Sequence, residues 1–160
     1  MKKKFCFGIV LVIMCLSVIG CGKKEYKANE KLTNFCENDI CQINLNYLLS
    51  YQESINKLSK MDANEYFDSD EYFGTDEIEK FNKISNEYWN ESKDRLLIFT
   101  DFGVLSYMVA LERTNVFEYS TDTNNIETKV RFPSVEEKNR FCEGMNSNID
   151  NLLSTYYTEN

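Results

Sequence analysis

Histidine is absent from all 160 residues. A serine or cysteine nucleophile therefore lacks its usual general base, and a zinc or other transition-metal site lacks its commonest ligand. Glycine is scarce, with six residues, and none of them builds a phosphate-cradling loop or a dinucleotide-binding fingerprint. The triplet Asp101-Phe102-Gly103 stands without the Gly-rich loop, strand lysine or catalytic-loop motif that would give it kinase meaning. Carboxylates are abundant, yet no spacing singles out a pair for glycoside hydrolysis. Together these absences predict a protein that is not an enzyme and uses neither metal nor cofactor. Proline occurs once, which excludes a stiff Pro-rich stalk.

Long apolar runs are confined to one place. Lys2, Lys3 and Lys4 precede the uncharged stretch FCFGIVLVIMCLSVIG, Phe5 to Gly20, and Cys21 comes directly after it. A charged start with an apolar run behind it is the pattern of an export signal. The ending Val18-Ile19-Gly20-Cys21 resembles the lipobox of bacterial lipoproteins. The resemblance implies that residues 1–20 are a signal peptide cut before Cys21. It also implies that the Cys21 thiol carries a thioether-linked diacylglycerol and that the new amine is open to acylation, for instance by palmitate. The protein would then be lipid-anchored to the cell membrane, facing the periplasm or the cell exterior. The alternative is an uncleaved transmembrane anchor, because the uncharged run reaches Gly22 and a spanning helix needs roughly 18 to 20 apolar residues. Glycine before Cys21 and Lys23-Lys24 behind it favour lipidation. The resemblance covers residues 1–21 and carries no family for residues 22–160.

Charge of positive sign is in deficit. The chain has 18 basic and 26 acidic residues, a net charge of −8, and loss of Lys2, Lys3 and Lys4 with the signal takes it to −11. A domain that acidic is unsuited to nucleic acid and suited to a basic protein partner. The one basic cluster, Lys23, Lys24, Lys27 and Lys31, adjoins the anchor, where anionic lipid head groups would favour each residue by about 1 kcal/mol. From Gly22 to Asn34 large apolar residues are few, so residues 21–42 are expected as a lipidated tether and residues 43–160 as a single globular domain.

Within that domain, residues 43–61 place Leu48, Tyr51, Ile55 and Leu58 on one helical stripe. A second helix is expected from Thr75 as N-cap, with Asp76 and Glu77 in its first turn and Ile78, Phe81, Ile84, Tyr88 and Trp89 facing inward. The most apolar stretch, Arg95 to Arg113, reads as a buried helix with Leu97, Val104, Leu105, Met108 and Leu111 inside, or as a strand and turn at LLIFT-DFG; its length and its Leu, Met and Ala content favour helix. After Asn115 the period changes to alternation. VFEYS and IETKVRF, with TDTNN between them, read as a β-hairpin with Ile126, Thr128, Val130 and Phe132 on one face. Ser134 and Glu137 form a capping box for a last helix whose inner stripe is Val135, Cys142, Met145, Ile149 and Leu152 or Leu153. The expected fold class is α+β and predominantly helical: three to four amphipathic helices with a C-terminal β-hairpin followed by a final helix.

Two segments are candidates for special chemistry. FCENDIC, with Cys36 and Cys41, either closes as a disulfide loop in an oxidising compartment or holds two reduced, partly buried thiols; Cys142 reads as a small buried hydrophobe. In the acidic stretch DSDEYFGTDEIE, Asp68, Asp70, Asp76 and Glu79 fall at ligand positions of a calcium loop. However, Phe73 occupies the place that needs glycine and Gly74 comes one residue late, so an acidic linker is favoured. The same stretch offers a partner-binding face in which Asp68, Asp70 and Glu71 surround Tyr66, Phe67, Tyr72 and Phe73. The alternative is that these aromatics pack the loop onto the helices. The composite expectation is a membrane-anchored, non-catalytic binding or inhibitory module of the immunity or exclusion type. A structural accessory of an envelope or secretion assembly is the alternative.

Overall fold

Two short elements open the chain in the computed structural model, which describes residues 24–74, 76–89, 93–122 and 127–160. They are strand β1, Tyr26–Ala28, and helix α1, Glu30–Thr33. Asn29 between them caps α1, its side-chain oxygen accepting from the Leu32 amide at 3.3 Å. Asn29 also donates from its backbone amide to the Tyr156 carbonyl and from its side chain to the Thr155 carbonyl, both at 2.9 Å. Leu32 is fully buried, which contributes about 2 kcal/mol. Residues 24–42 thus belong to the folded body, and the expectation of a tether across them is corrected. Composition misled because this segment is held by backbone pairing and one leucine rather than by an apolar run.

Four long helices come next: α2, Asn38–Leu58; α4, Asp76–Trp89; α5, Lys93–Asn115; and α6, Val135–Tyr156, with the single-turn helix α3, Ser69–Phe73, before α4. Each long helix packs on two others in the cyclic order α2, α4, α5, α6. Hydrogen bonds fix their directions. Tyr157 donates to the Cys41 carbonyl at 2.8 Å, Gln52 to Asp150 at 2.9 Å, and Lys138 to the Ser59 carbonyl at 3.0 Å, so α2 and α6 run antiparallel along their whole length. Asp101 meets Tyr156 and Met108 meets Asn148, which makes α5 antiparallel to α6 as well. Tyr51 packs on Phe73 of α3 and Tyr47 on Phe81 of α4, which sets α3 and α4 against α2 with α4 running antiparallel to it. The result is an up-down-up-down four-helix arrangement.

The expected stripe Leu48, Tyr51, Ile55 and Leu58 is buried, as are Ile78 and Phe81 of α4, with Ile84 half-buried. Thr75 and the side chains of Tyr88, Trp89 and Leu97 lie outside the described residues. The stretch from 93 to 115 is helix throughout, which settles the helix-or-strand ambiguity, but its inner stripe differs from expectation. Ile98, Phe102, Leu105 and Val109 are buried, whereas Val104 and Leu111 are 48% and 41% exposed. This helix is apolar on more than one face, so periodicity alone did not identify the inward one. In α6, Phe141, Cys142, Met145, Ile149, Leu152 and Leu153 are buried, while Val135 in the first turn is exposed. Ser134 caps α6 by accepting from the Glu137 amide at 3.2 Å, and the Glu137 carboxylate turns to Arg140 instead of closing the box.

Strands β3, Glu118–Asp122, and β4, Glu127–Arg131, pair antiparallel, with Tyr119 opposite Val130. The hairpin-then-helix expectation is nonetheless too simple. A third strand, β2, Phe67–Asp68, pairs with the other edge of β4, and after α6 the chain adds β5, Tyr157–Glu159, antiparallel to β1. Alternation along one strand carries no signal for a partner as far upstream as Phe67 is from Val130. Val130 and Phe132 are buried; Ile126 and the side chain of Thr128 lie outside the described residues. Gly74 makes the tight exit from α3, where an added Cβ would stand 2.7 Å from the Asp70 carbonyl oxygen. The protein is therefore α+β and mostly helical, with a small sheet at each end of the bundle.

Lys138 joins the two long helices at the three-stranded end. Its side chain is buried and donates to the carbonyls of Ser59 and Met61 at 3.0 and 2.6 Å, placing a cation on the orphan acceptors that close α2. Lys138→Met keeps the stem and removes both bonds. Chemical denaturation should show a loss of about 2 kcal/mol with an unchanged denaturant slope, since two part-buried carbonyl bonds lose their charged donor.

Candidate functional site

Tyr47, Phe81, Phe102 and Tyr156 bring one ring from each long helix to the middle of the bundle. Tyr47 stacks on Phe81 with centroids 4.1 Å apart, and Phe102 lies 5.9 Å from Phe81 and 5.2 Å from Tyr156. The Tyr47 hydroxyl donates to the Phe102 carbonyl at 3.1 Å and meets the Ser106 hydroxyl on the next turn. Burial pushes the Tyr47 phenol far above its ordinary range, so it stays protonated and serves as a donor. These contacts place α5 so that its next face borders a groove shared with α6.

The groove has a cavity of about 230 Å³. Val104, Leu105, Met108 and Leu152 give it apolar walls, and Asn148, Asn151 and Thr155 give it hydrogen-bonding groups. At one end the Tyr156 hydroxyl donates to the exposed Asp101 carboxylate; burial first, then this bond and its charge, hold the phenol protonated. Towards the other end Met108 also lines a smaller hollow with Arg140, Phe141 and Gly144. An added Cβ on Gly144 would meet no atom within 4 Å. On α5, Val104 forms the lip of the groove at 48% exposure, and Tyr107 and Leu111, 64% and 41% exposed, extend the same face of the helix away from it. Their spacing of three and four residues sets them on one stripe. The groove pairs apolar walls with hydrogen-bond donors and acceptors, a lining suited to holding a ligand or a side chain of another chain.

The residues singled out from sequence are dispersed relative to this groove. Cys21 lies outside the described residues. In the acidic segment, Asp68, Asp70 and Glu71 are exposed and Tyr66 is 40% exposed, but Phe67 and Phe73 are only 5% and 4% exposed, and Tyr72 is half-buried. Phe67 meets Tyr72, Phe117 and Phe132 with centroids 5.2 to 5.9 Å apart. Those aromatics are core, which corrects the proposed face by removing Phe67 and Phe73 from it. Asp68 is the N-cap of α3, accepting from the Asp70 amide at 2.8 Å, and Asp76, Glu77 and Glu79 stand in the first turn of α4. Each carboxylate thus has a helix-terminal role. Among the described residues no group of three or more Cys, Asp or Glu is placed to hold a metal ion, and no helix is long and apolar enough to cross a membrane.

Cys36 and Cys41 are buried thiols rather than a disulfide, and the Cys41 thiol points to the Cys36 carbonyl at 3.7 Å. The helix begins at Asn38, between the two, and its first turn directs Cys41 inward. The site that sequence reasoning missed is the α5 lip. The signal was present as an excess of apolar residues beyond one stripe, but Val104 and Leu111 were assigned to the core. Compared with protein-family models, curated proteins and solved structures, the chain matches none.

Burial raises the thiols of Cys41 and Cys142, the latter to about 11. Against an ordinary value of 9.0, that leaves about 100-fold less thiolate at pH 8 for Cys142. A disulfide-exchange reagent should accordingly count three thiols from Cys36, Cys41 and Cys142 rapidly in denaturant and at least tenfold more slowly in the folded protein. A count of one in non-reducing denaturant would show that the bridge forms.

Proposed function

We propose that the chain is a lipoprotein, anchored at Cys21, whose domain acts at the cell envelope by binding a protein partner without turnover, as an inhibitory or exclusion module does. The observation that carries the binding reading is the exposed stripe Val104, Tyr107 and Leu111 beside the α5–α6 groove. Large apolar side chains on a rigid helix, next to a concavity that also presents polar side chains, suit the centre of a protein interface. A partner helix laid along the groove would present its own apolar row at helical spacing. The net charge of −11 left after loss of the signal favours a basic partner and speeds its approach. The exposed carboxylates Asp68, Asp70 and Glu71, with Tyr66 nearby, contribute to that field but no longer form an aromatic contact surface. The absence of histidine supports the non-catalytic part of the reading.

Two measurements address the two halves of the proposal. For the anchor, labelled palmitate should enter the wild-type chain, and Cys21→Ala should abolish labelling or leave an unprocessed precursor; labelling that persists in the variant would reject Cys21 as the site.

For the binding surface, envelope extracts are passed over the wild-type chain and over Tyr107→Asp. Among the described residues Tyr107 is the most exposed large hydrophobic, so its replacement should leave the unfolding free energy unchanged within about 0.5 kcal/mol. Partner capture should fall at least about tenfold, equivalent to about 1.4 kcal/mol of binding. Equal capture by both forms would remove the groove from the interface.

A further inference from the structure

The two small sheets sit at opposite ends of the α2–α6 pair. The β1–β5 ribbon lies beside Cys41, through the Tyr157 hydroxyl, and the three-stranded sheet lies beyond Ser59 and Lys138. From position 41 to position 59 a helix rises about 27 Å at 1.5 Å per residue. The chain enters this body at the ribbon end. Lys24 pairs with Glu159 at 2.9 Å, and the Asn160 amide donates to the Glu25 carbonyl at 2.9 Å, so the first described residues are already clamped to the last strand. Three residue steps link Cys21 to Lys24, and a fully extended chain covers at most about 11 Å in three steps. No conformation of the link reaches further.

We infer that the bundle stands upright on the bilayer, with the β1–β5 ribbon against the lipid head groups and the three-stranded sheet, with Tyr66, Asp68 and Tyr119, directed away from it. The inference rests on lipidation at Cys21. The membrane is the occupant of the ribbon end because a covalent link of that length permits no other end to lie there. Charge is not what holds it: Lys24 is neutralised by Glu159, and Glu25 and Glu30 are interspersed with Lys27 and Lys31. The α5–α6 groove then rises along the side of the bundle, open to a partner that approaches parallel to the membrane.

The orientation is read by quenching. The full chain, lipidated in cells, is recovered into phosphatidylcholine vesicles bearing nitroxide-labelled head groups. A fluorescent thiol probe is placed on Thr158→Cys in β5 or on Glu65→Cys in the loop after α2; both positions are exposed, while Cys36, Cys41 and Cys142 are buried. Quenching should be several-fold stronger at position 158 than at position 65 and the same in neutral and anionic vesicles. Inserting about 20 Gly and Ser residues between Gly22 and Lys23, a coil with a span of roughly 25 Å, should erase the difference. Equal quenching at the two positions without the insert, or stronger quenching at position 65, would overturn the upright orientation while leaving the anchor intact. A chain that fails to float with vesicles would overturn the lipoprotein reading and the orientation with it.

Discussion

The stacking of Tyr47 on Phe81 is the contact on which the other helix positions depend. Both rings are almost wholly buried, and at 4.1 Å between centroids the two helices that carry them have little freedom to slide. An aromatic pair of this kind contributes about 1 kcal/mol beyond the area it hides. The phenol adds a directional requirement. Buried without a partner, a hydroxyl costs at least about 1 kcal/mol, and here the Phe102 carbonyl and the Ser106 hydroxyl supply partners from a third helix. The bond to Phe102 is to backbone, so Tyr47 positions α5 itself and not only one of its side chains. Phe102 in turn sets Tyr156, and through it Asp101 and the mouth of the groove.

The ends of the bundle obey a different logic. At the three-stranded end, Phe117, Phe132 and Phe141 meet with centroids 4.8 to 5.6 Å apart and form a second aromatic cluster, which explains why the short strands are stable there. Lys138 seals the same end through the carbonyls that finish α2. At the other end Leu32, Tyr156 and Tyr157 are buried, and the two extremities of the described chain are joined: β1 with β5, Asn29 with Thr155 and Tyr156, and Lys24 with Glu159. A segment that looks like a linker by composition is thereby made part of the fold.

That contrast explains what was legible in the sequence. Helices whose apolar residues fill one stripe announced themselves: Leu48 to Leu58 of α2 and Cys142 to Leu153 of α6 were readable because charge and apolar character separate around them, whereas the start of α2, inward Tyr47 and exposed Val135 were not. The cap at Ser134 was equally plain, since capping is a local hydrogen bond between residues three apart. Features set by distant partners were not. Phe67 and Phe73 sit among Asp and Glu in sequence, and only the fold reveals that Phe117 and Tyr51 await them. Neighbouring charge in one dimension says little about neighbouring charge in three. Asn44 is the opposite case: it lies among buried residues of α2 with neither amide atom partnered, a position that a hydrophobic stripe would have given to leucine.

Two departures from the most stable sequence lie beside the groove. α5 needs one apolar row, Ile98, Phe102, Leu105 and Val109, to face the bundle, yet it carries a second on its solvent side. Opposite, α6 holds Gly144 in mid-helix, where alanine would be favoured by about 1 kcal/mol and would meet no atom within 4 Å. Neither feature serves the fold: Tyr107 is mostly in water, and the space above Gly144 is open. Each alone would be ordinary, since isolated exposed hydrophobes and helical glycines are common. Val104 borders the larger hollow and Gly144 the smaller one, and Met108 lines both, so the two departures lie near each other on the α5–α6 side of the bundle. Sequences that specify one structure agree at nearly every level, and in this bundle the places where local preference and fold disagree include the solvent side of α5 and mid-helix Gly144 of α6, which is why the proposed interface is sought there.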